Sequence, residues 1–110
     1  MGARAKFGTI RSLAAGGISG SYASVGTALT DAAVAVCFTN NTQGDMMFTT
    51  DTNEDQIFVA SGSFKLWDIQ SNRNGQFDDR LLIPAGTQFS VKQVEAPVDG
   101  SVYVEVIEYD

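Results

Sequence analysis

Carboxylates are the only side chains in this sequence that offer acid–base or metal chemistry in any number. The chain has no histidine and a single cysteine, Cys37, so the usual nucleophile–base pairs and nitrogen or sulfur metal sites cannot be assembled. Two adjacent acid pairs, Glu54–Asp55 and Asp78–Asp79, remain as candidates for a small carboxylate hydrolase. Adjacent acids on a loop usually point into water in different directions, and a small domain has little room for a substrate cleft. We therefore predict no catalytic residues.

Residues 51–55 begin like a calcium-binding loop, with oxygen ligands at alternate positions. Gln56 stands where that loop needs a glycine, and Gly62 stands where it needs a bidentate glutamate. The segment is predicted to be a solvated connection, and no metal or cofactor is expected. Cys37 lies within the apolar run of residues 32–38, which favours a buried structural thiol over a reactive one.

Charge divides the chain into two parts. The first thirty residues hold three basic side chains and no acidic one, whereas residues 31–110 hold four basic side chains against thirteen carboxylates, a net charge of −9. Residues 1–20 are also rich in Gly, Ala and Ser, so they cannot by themselves bury enough apolar surface to offset the entropy of ordering them. We predict a basic N-terminal arm at residues 1–20 and a compact body at residues 21–110.

A basic arm on an acidic body has a natural target in the body of a neighbouring copy or partner. The alternative is a frayed, solvated terminus. If the arm works between subunits, its charged and apolar side chains form the interface; the candidates are Arg4, Lys6, Phe7, Ile10, Arg11 and Leu13. Deleting residues 1–20 is then expected to leave the body folded and to weaken assembly.

The body shows apolar residues with a period of two, interrupted by turn residues about every ten positions. The polar run at residues 40–44 is expected to end one strand, residues 46–50 and 57–60 to form two others, and residues 70–80 to form a long polar loop. This pattern predicts an all-β fold, a single antiparallel β-sandwich of about seven strands, jelly-roll-like or Ig-like. The predicted core consists of Val34, Val36, Phe38, Phe48, Phe58, Phe64, Leu66, Ile83, Phe89, Val91, Val102, Val104 and Val106.

Several strands carry sizeable residues on both faces, which suggests that the second face is covered by the arm or by another subunit. Trp67, Tyr103 and Tyr109 are the body's candidate interface residues. No apolar stretch approaches the ~20 residues needed to cross a bilayer. A sequence pI of about 4.3 argues against nucleic-acid binding by the body, because phosphate would repel it.

The order of these signals resembles that of small virion structural proteins from tailed bacteriophages. The resemblance covers residues 22–109 and leaves out the arm. The residues that carry it are SYASVGTALT at 21–30, FTNNT at 38–42, SFKLWD at 63–68 followed by Asn72, IPAGTQFSVKQ at 83–93 and GSVYVE at 100–105.

The resemblance implies a β-sandwich subunit of the head, neck or tail, located in the virion after assembly in the host bacterial cytoplasm. Its partners would be copies of itself and other virion proteins, and its role that of a capsid decoration (cement) protein or a head-to-tail component. A second hypothesis is a carbohydrate- or receptor-binding β-sandwich, in which Trp67, Tyr103 and Tyr109 supply stacking surfaces. The carboxylate hydrolase is the third.

Overall fold

The computed structural model describes residues 5–68 and 83–109, in which nine β-strands form two antiparallel sheets. One 3-10 turn, Ala15–Gly17, and no α-helix occur among these residues. The strands are β1 (Ala5–Phe7), β2 (Arg11–Ala14), β3 (Ala23–Ser24), β4 (Ala32–Thr42), β5 (Met46–Thr49), β6 (Ile57–Val59), β7 (Phe64–Asp68), β8 (Ser90–Gln93) and β9 (Gly100–Tyr109).

The large sheet has the strand order β1-β9-β4-β7, with β2 also paired to β9, and the small sheet has the order β3-β8-β5-β6. The longest ladder joins β4 to β9, from Ala32 opposite Tyr109 to Thr42 opposite Gly100, with a register shift between Ala33 and Ala35. The two sheets pack face to face. The prediction of an all-β antiparallel sandwich is confirmed.

The core lies between the sheets and is centred on Phe38 of β4. The Phe38 ring meets Phe48 at 5.1 Å and Phe89 at 5.6 Å between centroids, so aromatic packing joins the two sheets. Nine predicted core residues are buried: Val34, Val36, Phe38, Phe48, Phe89, Val91, Val102, Val104 and Val106. Ile83, also predicted, is half-buried beside the core and bridges Ala33.

Three residues predicted for the core are exposed instead: Phe58 at 40%, Phe64 at 64% and Leu66 at 62%. In β7 the prediction chose the wrong face of the strand. A period of two separates the residues of a strand into two faces but does not show which face is buried. Trp67 lies opposite Val36 on the core side, which turns Leu66 outward opposite Cys37. Cys37 itself is half-buried on the outer face, so the prediction of a buried thiol was wrong.

Strand β4 runs through Asn40, Asn41 and Thr42, where the sequence predicted its end. Asn40 is fully buried and satisfied: its amide donates to the carbonyls of Gly44 (2.8 Å) and Val59 (3.0 Å). Its side-chain oxygen accepts from the backbone N–H and the hydroxyl of Thr42. A polar residue continues the strand here because every one of its hydrogen-bonding groups has a partner.

The sequence did not predict β1, β2 and β3 as strands. Within the arm, β1 and β2 pair with β9 of the same chain, and Ile18 is buried in the core. The described part of the arm is therefore a component of the large sheet. Arg4, Asp78, Asp79 and the polar loop predicted at residues 70–80 lie outside the described residues.

Candidate assembly surface

The N-terminal strands occupy the edge of β9 that β4 leaves free. Phe7 lies opposite Ile107 and Arg11 opposite Val104, and between the two strands the Gly8 N–H donates to the Val106 carbonyl at 3.1 Å. A Cβ on Gly8 would stand 2.6 Å from the Val106 side chain, so this close approach requires glycine. The backbone of the arm thus extends the sheet.

Arg11 is the side chain that fastens the arm to the body. It is only 4% exposed, and its Nε donates to the Thr27 carbonyl at 2.6 Å. Its other donors reach the carbonyls of Thr9 (2.8 Å) and Ala28 (3.3 Å), while Glu108 lies 3.9 Å away. Because the carbonyls take the closer contacts, the carboxylate mainly balances the buried charge.

The remaining predicted arm residues divide between the inner and outer sides of the sheet. Leu13 packs against the core of its own chain, and Lys6 forms a 3.0 Å ion pair with Asp31 at the surface. Phe7 is 87% exposed and Ile10 is 59% exposed. Among these arm residues, Phe7 and Ile10 are therefore the apolar side chains left exposed, whereas Arg11 and Leu13 are held against the body of the same chain.

The outer face of the large sheet is largely apolar. Its cross-strand rows follow from the register: Phe7–Ile107–Ala35–Asp68, then Glu105–Cys37–Leu66, then Tyr103–Thr39–Phe64. A shallow groove of about 200 Å3 runs over the first two rows. We call these rows and this groove the outer groove face. Phe7, Phe64 and Leu66 are all more than half exposed there, which is unusual for three large apolar side chains on one sheet face.

The aromatic residues predicted for a body interface lie on different sides of the large sheet. Tyr103 is half-buried on the outer groove face. Trp67 points inward, with its ring edge-on to Phe38 at 5.8 Å and an interplanar angle of 78°, yet remains 39% exposed at the sheet edge. Tyr109 ends β9, and its side chain lies outside the described ones. The structure therefore places Tyr103 and Trp67 on opposite sides of the large sheet.

A polar cluster covers part of the small sheet's outer face. The Tyr22 hydroxyl donates to Asp55 at 2.6 Å, Lys92 pairs with the same carboxylate oxygen at 2.9 Å, and the ammonium lies 4.9 Å from the Tyr22 ring centroid. The hydrogen bond from Tyr22, followed by the contact with Lys92, holds the pKa of Asp55 below its usual value. Burial first, and then Asp55, raises the pKa of the Tyr22 phenol. The three groups satisfy one another.

Within residues 51–55, Asp51 uses its oxygens in hydrogen bonds within the chain. The Asp51 carboxylate accepts from the Asn53 N–H at 3.0 Å, and the Asp51 carbonyl accepts from the Glu54 N–H at 2.9 Å. Across the described residues, no group of three or more Asp, Glu, Cys or His side chains is placed to hold a metal ion. Nor does the described part of the chain contain a helix of the length and apolarity that crossing a membrane requires.

No protein-family model matches this sequence, and no curated protein matches it. Among solved structures, the chain is similar to a chain titled "Cyanophage Pam1 capsid asymmetric unit". The two have 18% sequence identity and a TM-score of 0.55, over 98% of this chain and 86% of that chain. The likeness shows a shared fold.

Sequence reasoning missed the residues that give this surface its character. Glu105, the exposed carboxylate of the outer groove face, was treated only as part of the acidic total, and the buried Glu108 likewise. The alternation in β9 contained a signal for Glu105, because it occupies the face opposite Val104 and Val106. No comparable signal existed for the burial of Arg11, since two of its acceptors, the carbonyls of Thr27 and Ala28, are sixteen and seventeen residues away.

Proposed function

We propose that this chain is a non-enzymatic structural subunit of a tailed-bacteriophage virion, acting in particle assembly or stabilisation. The observation that carries the proposal is the outer groove face, a broad apolar surface that no described part of the chain covers. A sandwich that leaves such a face exposed gains stability when a partner buries it. The fold shared with a chain of a phage capsid asymmetric unit supports the same setting.

Within the virion, we propose a place either on the capsid, as a decoration (cement) protein, or in the head-to-tail region. The partners are copies of this chain and other virion proteins. Cryo-electron microscopy of the particle tests this directly, because a decoration protein occupies many lattice positions, whereas a neck or tail subunit forms one ring. Absence of the chain from purified particles, by mass spectrometry and in the map, would overturn the virion role.

We further propose that the arm contributes to the contacts between subunits through Phe7 and Ile10. The matched test compares deletion of residues 1–10, which leaves Arg11 and β2 in place, with the double variant Phe7→Ser/Ile10→Ser. Both should keep a β-rich circular dichroism spectrum and bind particles more weakly. Truncated protein that assembles as well as the full chain would reduce β1 to a purely intramolecular edge strand.

The carbohydrate-binding alternative has less support. Sugar recognition through stacking needs aromatic faces open to the ligand, whereas Trp67 and Tyr103 lie on opposite sides of the large sheet and the Trp67 ring packs edge-on with Phe38. Saturable binding of a saccharide by the isolated chain, lost in Trp67→Ala, would favour it over the structural role.

A further inference from the structure

Glu105 is a carboxylate set among apolar side chains on the outer groove face. Directly across the ladder lies Cys37, with Leu66 beyond it, and its same-face neighbours along β9 are Tyr103 and Ile107. The Glu105 side chain is exposed and lines the groove together with Phe7 and Leu66. Among the residues that line the groove, Glu105 therefore places a carboxylate in a largely apolar setting.

None of the cations that the structure describes serves this carboxylate. Lys6 pairs with Asp31, Arg11 is buried against backbone carbonyls, and Lys92 pairs with Asp55 on the other sheet. Lys65 alternates with Leu66 along β7 and so belongs to the opposite face. Glu105 has no ion-pair partner among the described residues.

A second copy of the chain is a poor occupant for the groove. Stacking two such faces would bring each Glu105 against the other copy's apolar side chains, and removing an unpaired carboxylate from water is strongly unfavourable. Both copies would also carry a net charge of −6, which adds repulsion at long range. The chemistry of the groove instead matches a partner that brings a positive charge.

We propose that the outer groove binds a segment of a different protein that presents one arginine or lysine between apolar side chains. The cation pairs with Glu105, and the flanking side chains cover Phe7, Leu66 and Ile107. Taken with the proposed virion role, on which this identification of the partner rests, the segment belongs to another virion protein. Specificity comes from the charge, because a partner lacking the cation would bury Glu105 unpaired.

The test uses the full-length protein and three synthetic decapeptides that differ only in a central Arg, Gln or Glu between Leu and Phe residues. Calorimetry gives Kd, and alkylation of Cys37, the single cysteine, reports whether the groove is occupied. We expect the Arg peptide to bind at least about tenfold more tightly than the Gln peptide and to slow alkylation. Glu105→Gln should remove this preference, and Glu105→Arg should transfer it to the Glu peptide.

Glu95→Gln is the matched control, since Glu95 is an exposed carboxylate outside the groove, and it should leave the preference unchanged. Circular dichroism of each variant establishes folding, and Glu105→Gln, nearly isosteric, suffices if Glu105→Arg does not fold. Equal or absent binding of the three peptides, or unchanged Cys37 alkylation, would overturn the proposal. The peptide measurements do not depend on finding the chain in a particle. A result that contradicts the groove proposal can therefore be distinguished from one that contradicts the virion role.

Discussion

The outer faces of the two sheets differ in how their side chains are satisfied. On the small sheet, Lys92, Asp55 and Tyr22 bind one another, and Met47 and Phe58 add apolar surface. On the large sheet, the outer groove face is apolar around Glu105, which has no described partner. The charged groups on the small sheet are paired within the chain, whereas the large sheet leaves Phe7, Phe64 and Leu66 exposed around a carboxylate.

Folding stability and the proposed association should therefore depend on opposite faces of the same strands. Val104 and Val106 of β9 are buried between the sheets, while Glu105 and Tyr103 alternate with them toward the outside. A substitution on the inner side should therefore affect folding, and one on the outer side should affect binding.

The largest expected effect separates the inner from the outer side of the large sheet. Phe38→Ala removes the ring at the centre of the core and should cost about 3–5 kcal/mol, enough to unfold many domains of this size. Phe64→Ala, on the outer groove face and 64% exposed, should cost less than about 1 kcal/mol. Urea titrations of both variants measure the difference, and equal losses would contradict the assignment of the two sides.

The second effect concerns the edge of the large sheet, where Arg11 fastens the arm. Arg11→Met leaves Glu108 buried without its cation and the carbonyls of Thr27 and Ala28 without a donor. We expect a loss of about 3 kcal/mol in the free energy of unfolding. Lys6→Met is the matched control and should cost less than about 1 kcal/mol, because the Lys6–Asp31 pair is exposed to solvent. Denaturant titrations measure the free energy of unfolding of both variants. Similar losses in the two would show that the burial of Arg11 does not contribute to stability.

The third effect tests whether the small sheet's face is completed within the chain. Since its folded pKa is lowered, Asp55 contributes stability above its unfolded pKa of about 4, and this stability is lost as pH falls through the folded pKa. In Tyr22→Phe the pKa of Asp55 should rise toward its ordinary value, with a smaller acid-side loss. An NMR titration of the Asp55 carboxyl measures the shift. Lys92→Met should also raise it, because the hydrogen bond from Lys92 and its charge both lower the pKa of Asp55.

The smallest expected effect on stability comes from the centre of the outer groove face. Leu66→Gln exchanges an exposed apolar side chain for a polar one and should change the free energy of unfolding by no more than about 0.5 kcal/mol. The same variant should lower binding of an environment-sensitive hydrophobic dye, because the groove loses apolar surface. A large loss of stability would indicate that Leu66 is covered within the chain.

Much of the fold could be predicted from the sequence, because a period of two with regular turn residues is a local property of the strands. The pattern gave the body's strands close to their observed bounds, as at Met46–Thr49 and Ile57–Val59. Less of the candidate surface could be predicted. Tyr103, Phe7 and Ile10 were predicted as interface residues and lie on the outside, but Glu105 was not predicted and Leu66 was wrongly predicted for the core.

By itself, then, the sequence determined an all-β body and the separation of a basic N-terminal part from an acidic remainder. It also excluded histidine-based sites and an intramolecular disulfide, because the chain has no histidine and a single cysteine. Only the tertiary structure decided which face of β7 is buried, because Trp67 and Leu66 are equally apolar and the choice depends on the opposing strand. It also decided that Arg11 is enclosed, since its partners are main-chain carbonyls that the fold brings to it from residues 27 and 28. Period and composition are local, whereas burial and pairing depend on contacts between residues far apart in the chain.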